Sequence, residues 1–371
     1  MTSDSYPGSW CEVHLDRISR NLELALGLVP LGRRFCAVLK ADAYGHGIEQ
    51  VVPLIQAQGV TCVGITSNAE ARAVRDAGFD GTLIRLRAAT PDEIDNALDA
   101  QIEEQVSSLG IAEKLKALKV AGHTVRAHLA LNALGMSRDG LEISTNEGRT
   151  ACRSILNLLG NEIVGICTHF PRNTPEDLRS SADLFQDQVS WIIENSALER
   201  SDILVHAGSS LTLVSDEPVE TDMYRCAAIL YGILKPELGF QPTMELKARV
   251  VSIGDYPKGA SVGYDRAFRL DMDRTLACLS IGYANGIRRD VDPNAGVVIG
   301  NDLAPVLGKI SMNTLVVDVT DVDGVRAGDE AIMFGAIKQT KQSLAATEQQ
   351  FRTIMADLYA DWGMRNERFF R

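Results

Sequence analysis

The fold of this chain is decided by residues 36–70, CAVLKADAYGHGIEQVVPLIQAQGVTCVGITSNAE. Two short apolar runs, Cys36–Lys40 and Cys62–Thr66, have the length and composition of buried strands, and a longer helical window separates them. The second run leads into Ser67-Asn68-Ala69-Glu70, which has the pattern of a capping box at a helix start. This alternation of strand and helix predicts β/α units and a parallel sheet.

The same alternation extends over residues 1–235 and gives eight candidate strands, which is the number in a TIM-type barrel. A further capping box, Thr90-Pro91-Asp92-Glu93, has proline at the first helical position and marks another junction between strand and helix. The candidate strands are Cys36–Lys40, Cys62–Thr66, Leu83–Arg87, Glu104–Leu109, Val125–Leu131, Val164–Phe170, Ile203–Ala207 and Ala227–Tyr231.

After residue 235 the sequence changes to β-rich segments that are separated by Gly, Asp and Pro turns. We therefore expect an α/β fold, with a (β/α)8 barrel over residues 1–235 and a mostly-β domain over residues 236–371. The first residues of the chain are candidates to join the β domain. The segments are Leu246–Ile253, Thr275–Ile281, Gly296–Ile299, Thr314–Val319 and Glu330–Phe334.

The composition excludes several classes of protein. The 371 residues include 37 basic and 49 acidic side chains, and the net charge of −12 argues against nucleic acid or an anionic membrane as a partner. The seven cysteines never fall into C-x-x-C spacing, so we predict neither a disulfide framework nor a metal site. With no long apolar run and no signal-peptide pattern, we expect a cytoplasmic protein, or a periplasmic one if a signal peptide precedes this sequence.

Lys40 is the strongest candidate for chemistry, because it stands at the C-terminal end of a strand, on the active-site face of a barrel. Partial burial there lowers the pKa of a lysine and favours Schiff-base chemistry. The hydroxyl of Tyr44 and the neighbouring glycines can approach a phosphate. A lysine that only ends a strand and reaches to water is the simpler alternative.

With the run KADAYGHG at residues 40–47, the sequence resembles the alanine racemase family of pyridoxal 5'-phosphate (PLP) enzymes, over essentially the whole chain. The resemblance implies that Lys40 holds PLP covalently. It also implies a homodimer, because Val262-Gly-Tyr264-Asp-Arg266 resembles the segment whose tyrosine reaches the partner's active site. Racemisation needs a proton donor and acceptor on each face of the substrate, and Lys40 and Tyr264 supply the two.

Other segments resemble the family's cofactor-binding motifs. Met223–Gly232 resembles the segment whose arginine contacts the PLP ring nitrogen, which implies that role for Arg225 and phosphate contact for the backbone near Ile229. Thr168-His169-Phe170 and His206–Ser210 resemble two further motifs, which implies that His169 and Ser210 bind the cofactor. The Tyr44 hydroxyl is expected to bind phosphate as well, and Tyr359 is the candidate for a C-terminal phosphate ligand.

The substrate is expected to meet two segments of the second domain. Ile281–Gly286 and Gly308–Asn313 resemble the family's I-G-Y-A-D-G and G-x-x-S-M-D motifs, which implies that Tyr283 and Met312 line the substrate entrance. Arg138 is expected to orient the PLP phenolate and the substrate carboxylate. Ala130 replaces the family's carbamylated lysine, so Arg138 needs another counter-charge, either a bound chloride or a carboxylate such as Asp139.

Three features resemble the broad-specificity branch of the family, which includes lysine and arginine racemases. They are the ALNALGMSRDG run at residues 130–140, the pair Arg85 and Arg87 after the third strand, and Asn313. We expect both arginines to converge with Lys40 on the phosphate and carboxylate. The sequence therefore predicts a PLP-dependent amino-acid racemase of broad specificity, with basic or aliphatic side chains among its substrates.

Three alternatives stay open at this point. The first is a strict alanine racemase with a diverged anion site. The second is a decarboxylase of the same architecture, although those enzymes need a cysteine-bearing C-terminal motif that this chain lacks. The third is a PLP-carrier protein, which is a lone barrel of roughly 230 residues, and the additional β domain argues against it.

Overall fold

The computed structural model of the protein describes residues 6–289, 292, 295–335 and 344–371. Its first strand, β1 (Ser9–Val13), is followed by helix α1 (Leu15–Leu28), whose buried residues Ile18, Leu22 and Ala25 recur at helical spacing. The helix ends just before Pro30, because the residue that precedes a proline is disfavoured in helical conformation.

The next part of the chain forms a closed barrel of parallel strands. Each of the first six strands pairs in parallel with the next one in the chain, and the last strand pairs with the first. The nine strands are β2 (Arg34–Val38), β3 (Cys62–Ile65), β4 (Thr82–Ala88), β5 (Ile102–Val106), β6 (Ala127–Ala130), β7 (Ile163–Cys167), β8 (Leu204–His206), β9 (Gly208–Ser209) and β10 (Met223–Cys226). Strand β9 continues β8 and pairs with β10. Together β8 and β9 occupy one position, so the closed barrel has eight strand positions.

Helices follow the barrel strands, and the longer ones cover the outside of the barrel. They are α2 (Lys40–Tyr44), α3 (Ile48–Ala57), α4 (Asn68–Asp76), α5 (Pro91–Asp95), α6 (Leu109–Val120), α7 (Asn146–Leu159), α8 (Pro175–Glu194) and α9 (Ser210–Leu213). Both predicted capping boxes are confirmed, at Ser67 before α4 and at Thr90 before α5. The predicted (β/α)8 barrel is thus confirmed.

One predicted strand, Ala227–Tyr231, is wrong. The strand is β10, four residues earlier, and residues 227–231 form a turn in which Ile229, Leu230 and Tyr231 are fully buried. The turn is apolar because it packs in the core behind the barrel mouth. An apolar run reports burial, and burial alone does not distinguish a strand from a buried turn.

The rest of the chain forms a mostly antiparallel sheet, as predicted. Its strands are β11 (Met244–Tyr256), β14 (Arg274–Leu279), β15 (Gly296–Ile299), β16 (Asp302–Leu307), β17 (Leu315–Asp318), β18 (Glu330–Phe334) and β19 (Glu367–Phe370), and a separate hairpin contains β12 (Ser261–Val262) and β13 (Phe268–Arg269). Strand β1 also belongs to this sheet, since it pairs with β11 and β19. Two helices complete it, α10 (Leu344–Phe351) and α11 (Met355–Arg365).

The second domain contacts the barrel where α11 packs against α2. A Cβ atom on Gly363 of α11 would lie 2.0 Å from the backbone oxygen of Gly45, which directly follows α2. Only a glycine permits this approach of one backbone to another. The C-terminal helix thus rests directly on the turn that follows Lys40.

Because this contact involves backbone on both sides, Gly363→Ala cannot be relieved by a side-chain movement. We expect the substitution to lower the free energy of unfolding by about 1–3 kcal/mol, as for an overpacked core. The matched control is Gly27→Ala in α1, where an added Cβ meets nothing within 4 Å. Urea-induced unfolding of both variants tests the contact, and equal stabilities of the two would contradict it.

Candidate active site

A cavity of about 270 Å³ opens at the C-terminal ends of the barrel strands. Strand residues point alternately inward and outward, so Val38, Leu86 and Ala130 face this cavity, while Cys36, Ile84 and Met223 fill the barrel beneath it. Six of the predicted site residues line the cavity together: Lys40, Tyr44, Arg138, His169, Ser210 and Arg225.

The turn that carries Lys40 has an unusual backbone. Ala41, Asp42, Ala43 and Tyr44 all have positive φ angles, between 52° and 56°, so α2 is a left-handed turn. Such a conformation costs non-glycine residues roughly 1–2 kcal/mol each and persists only where surrounding contacts impose it. The left-handed conformation of this turn therefore depends on contacts with neighbouring residues.

Hydrogen bonds with three residues outside the turn, Glu70, Ile48 and Arg368, hold it in place. The Ala41 N–H donates to Glu70 Oε1 at 2.8 Å, and the Asp42 carboxylate accepts from the Ile48 N–H at 2.8 Å. Arg368, on β19 of the second domain, donates to Asp42 at 2.6 Å and to the Gly45 carbonyl at 3.2 Å. No local sequence pattern marks Arg368 as part of this site, because it lies 326 positions after Asp42 in the chain.

The buried side chain of His46 also contacts this turn. Its Nδ1 lies 3.0 Å from the carbonyl oxygens of Ala43 and Tyr44, and its Nε2 lies 2.8 Å from the Thr243 hydroxyl. The ring also stacks on Tyr231, with centroids 4.6 Å apart. Burial lowers the pKa of His46 to about 4, so the imidazole is neutral near pH 7.

Lys40 lies in an environment that favours its neutral amine. Burial, and then the positive charge of Arg138, lower the pKa of Lys40. Burial raises the pKa of Tyr44 to about 12, so this residue presents a neutral hydroxyl to the cavity. A lysine with a lowered pKa is a nucleophile suited to carbonyl chemistry.

Arg225 lies at the inner end of the cavity and is fixed by its surroundings. It donates from Nη2 to the Thr168 carbonyl at 2.7 Å and from Nη1 to the His206 carbonyl at 2.9 Å. Burial, followed by the charges of Arg225 and Arg138, lowers the pKa of His169 to about 4. The cavity therefore holds two arginines and a lysine around a neutral histidine.

One corner of the cavity is built from hydrogen-bond donors. Ser210 Oγ accepts from the Ala227 N–H at 3.0 Å, which joins α9 to the turn after β10. Within the described residues, the N–H groups of Ala228 and Ile229 donate to no backbone carbonyl. Unpaired amides beside a hydroxyl are a donor set that suits a phosphate group.

Arg138 is 55% exposed and lies at the cavity rim. Its Nε lies 3.4 Å from Asp139 Oδ1, and among the described residues Asp139 is the only carboxylate that lines the cavity. The loop before it is braced by Asn132, whose amide donates to Glu142 at 2.7 Å. One of the two expected counter-charges, the Asp139 carboxylate, thus stands beside Arg138.

Arg85 does not converge on the cavity, contrary to the expectation. It points to the outer face of β4, where it is fully buried and donates to Glu104 at 2.7 and 3.0 Å and to Asn68 at 2.9 Å. The reason is strand alternation, since its neighbour Leu86 points inward. Arg87 pairs with Glu93 and borders a second cavity at the rim.

The remaining predicted residues lie outside the cavity. Tyr264 and Met312 are exposed on the second domain, and Tyr283 lies beside Met312, where the Ala284 N–H donates to the Met312 carbonyl. The side chain of Ile229 is buried behind the cavity wall, while its backbone amide follows Ala228, which lines the cavity. Tyr359 is buried and packs edge-on against His46, with ring centroids 5.1 Å apart, so it does not line the cavity.

Comparison with known families matches nearly the whole chain. The family model "Alanine racemase, N-terminal domain" matches residues 13–235, and "Alanine racemase, C-terminal domain" matches residues 243–370. None of the helices in the described part of the chain has the length and apolar character needed to cross a membrane.

Several curated relatives align along almost their full length. A broad specificity amino-acid racemase of Vibrio parahaemolyticus is 39% identical over 363 residues, which is 98% of this chain and 89% of that protein. A lysine racemase of Proteus mirabilis is 35% identical over 97% of this chain and 89% of its own length. The crystal structure of alanine racemase from Streptomyces lavendulae superposes with a TM-score of 0.90 at 23% identity, covering 99% of this chain and 98% of the other.

The lowered pKa of His46 predicts a dependence of stability on pH. Between its ordinary value of 6.5 and its folded value of about 4, the unfolded chain binds a proton that the folded chain does not. The free energy of unfolding should therefore fall by about 1.4 kcal/mol per pH unit from this residue as the pH drops through that window.

Urea titrations of wild type and His46→Gln at several pH values test this, because the variant should lose that part of the slope. His123→Gln, at an exposed histidine, is the control and should keep the wild-type slope. An unchanged slope in His46→Gln would show that this ring is not the buried neutral group described above.

Proposed function

This chain belongs to the alanine racemase family and is an amino-acid racemase, and we propose that it uses PLP to interconvert the L and D forms of free amino acids with many kinds of side chain. The observation that carries the proposal is the cationic cavity at the barrel mouth, with Lys40, whose pKa is lowered, in its wall. Broad specificity also draws on the relatives named above.

The cavity residues fit PLP. The donors at Ser210, Tyr44 and the amides of Ala228 and Ile229 suit its phosphate, and Arg225 suits its ring nitrogen as a permanently protonated donor. When bound, the cofactor supplies an electron sink that makes the α-proton of an amino acid acidic. The buried position of Tyr359 argues against its predicted phosphate contact, so we assign the phosphate to the other donors.

Lys40 would hold the cofactor covalently and move the α-proton at its Nζ atom on one face of the substrate. Tyr264 of the partner subunit would move a proton at its Oη atom on the other face, in a homodimer with shared sites. This tyrosine is 58% exposed on its own subunit. It follows Gly263, whose φ is 73°, and the next residue, Asp265, pairs with Lys309. A braced, outward-pointing side chain is what a shared site requires.

The other residues would bind and orient. Arg138, with Asp139 as its counter-charge, would hold the substrate carboxylate and the PLP phenolate. Tyr283 and Met312 would line the entrance, and neutral His169 would pack against the cofactor ring. These groups fix the substrate and exclude water around the reacting carbon, which is where proximity and desolvation contribute to the rate.

The shape of the site supports broad specificity. A second cavity, of about 450 Å³, lies at the rim and shares Lys40, Leu86, Arg138 and Asp139 with the first. A substrate held by Arg138 can therefore extend a long side chain into this space. The carboxylate of Asp139 and the polar rim suit cationic side chains, while Leu86 suits aliphatic ones.

A panel of alanine, leucine, methionine, lysine, arginine and glutamate tests the specificity. We expect racemisation of alanine, methionine, lysine and arginine within about a factor of 100 of one another in kcat/KM, because a pocket with spare volume discriminates weakly. Chiral chromatography of the products gives the rates. Activity on alanine alone would identify a strict alanine racemase, and carbon dioxide release from labelled lysine would identify a decarboxylase.

Tyr264→Phe tests the two-base assignment. We expect racemisation to fall by roughly 100- to 10,000-fold, as for loss of a general acid or base. Lys40 is intact in this variant, so one enantiomer should still exchange its α-proton with deuterium, which NMR detects. Tyr256→Phe, at another exposed tyrosine of the second domain, is the control and should keep full activity.

Mixing subunits tests the shared site. Tyr264→Phe and Lys40→Ala subunits are each expected to be inactive alone, and random reassortment into dimers should restore about a quarter of the sites, because half the dimers carry one intact pair. No recovery in a mixture whose subunits demonstrably exchange would show that each site uses residues of one chain only.

A further inference from the structure

Four buried side chains form a continuous hydrogen-bonded chain from the cavity down through the barrel interior. Arg225 Nη1 lies 2.7 Å from His206 Nδ1, and His206 Nε2 lies 2.9 Å from His128 Nδ1. His128 Nε2 then lies 2.7 Å from Glu103 Oε2. The other oxygen of Glu103 pairs with Arg126, which is 54% exposed just before the start of β6. The cavity is thereby connected to the opposite end of the barrel.

Only one arrangement of protons satisfies this chain. A guanidinium is a donor without acceptor capacity, so His206 Nδ1 must accept, and the proton of neutral His206 stands on Nε2. That proton is donated to His128 Nδ1, and His128 in turn donates from Nε2 to the carboxylate of Glu103. Every hydrogen bond points from Arg225 towards Glu103, and both histidines are neutral with the proton on Nε2.

The barrel is shaped to hold this chain. His128 and His206 are fully buried, and Glu103 is almost so. Gly165 on β7 makes room for His128, since a Cβ atom there would lie 2.2 Å from His128 Nδ1. Burial and the charge of Arg225 lower the pKa of His206 well below its usual value, in agreement with the neutral ring that the geometry requires.

Glu103 has the properties of the acceptor that ends the chain. Burial by itself would raise the pKa of Glu103, but hydrogen bonds from His128 and Arg126 outweigh it, and the pKa is lowered. The carboxylate is therefore ionised. In the described residues, no carboxylate is hydrogen-bonded to Arg225 directly, so the negative charge nearest to Arg225 along hydrogen bonds is that of Glu103.

We propose that Glu103 is a positioning residue for the racemase reaction, acting through His128 and His206 to hold Arg225 in one orientation. This inference rests on the proposed function, in which Arg225 meets the cofactor ring. A directly bonded carboxylate would occupy Arg225 donors and neutralise it at close range, whereas two intervening imidazoles fix its orientation and leave its charge directed at the cavity. Residues at the N-terminal end of barrel strands ordinarily serve stability. Glu103 differs because hydrogen bonds connect it to Arg225 in the active site.

The proton arrangement can be measured directly in the purified holoenzyme labelled with [15N]histidine. We expect the 15N shifts of His128 and His206 near neutral pH to report protonated Nε2 and bare Nδ1 in both rings, with assignment by single histidine substitutions elsewhere. A proton on Nδ1 of either ring would overturn the proposal, and this readout does not depend on activity.

The functional part is tested with Glu103→Gln, which keeps the shape and removes the charge. We expect the Nε2 proton signals of both histidines to move upfield, and kcat to fall by roughly 10- to 100-fold with KM within about twofold, the range seen when an outer hydrogen-bonded partner of a functional group is removed. The matched control is Glu104→Gln, the adjacent buried carboxylate on the outer face of β5, which pairs with Arg85.

Glu104→Gln should change stability but move neither the histidine signals nor kcat. Equal kcat values for the two variants, or unmoved histidine signals in Glu103→Gln, would overturn the role of Glu103. If Glu103→Gln fails to fold, the 15N measurement on the wild type decides. A wild type that racemises no amino acid in the panel contradicts the proposed function instead, and leaves the measured proton arrangement standing.

Discussion

The left-handed turn from Ala41 to Tyr44 is the constraint on which the site depends. Four such residues cost on the order of 4–8 kcal/mol together, so the turn forms only where other parts of the protein impose it. The second domain does so, through the backbone approach of Gly363 and the hydrogen bonds of Arg368. The second domain therefore shapes the active-site end of the barrel, because it contacts the turn that follows Lys40.

The electrostatics of the site run opposite to those of the whole chain. The protein carries a net charge of −12, yet Lys40, Arg138 and Arg225 surround a cavity whose only carboxylate, among the described residues, is Asp139. Burial limits this positive charge, since it lowers the pKa of His169 to about 4, which leaves the ring neutral, and also lowers the pKa of Lys40. Net charge describes the surface that other macromolecules meet, whereas the ligand meets a small cationic volume.

Much of the fold could be predicted because its signals are local. Capping boxes and apolar runs placed most barrel strands within a few residues, and the strand before Lys40 was identified from its own sequence. The predictions were wrong where contacts between distant parts of the chain decide which residues are buried and which way they point. Residues 227–231 are apolar because they fill the core as a turn, and Arg85 points outward because of where the alternation of β4 begins.

The sequence by itself determined the barrel, the β domain and the motif that carries Lys40, because periodicity, capping and short motifs are written in neighbouring residues. Only the tertiary structure decided that Tyr359 is buried behind His46, that Arg368 reaches Asp42, and that Glu103 is linked to Arg225. Those contacts join residues far apart in the chain. Their geometry follows from barrel closure and domain packing, which no local pattern encodes.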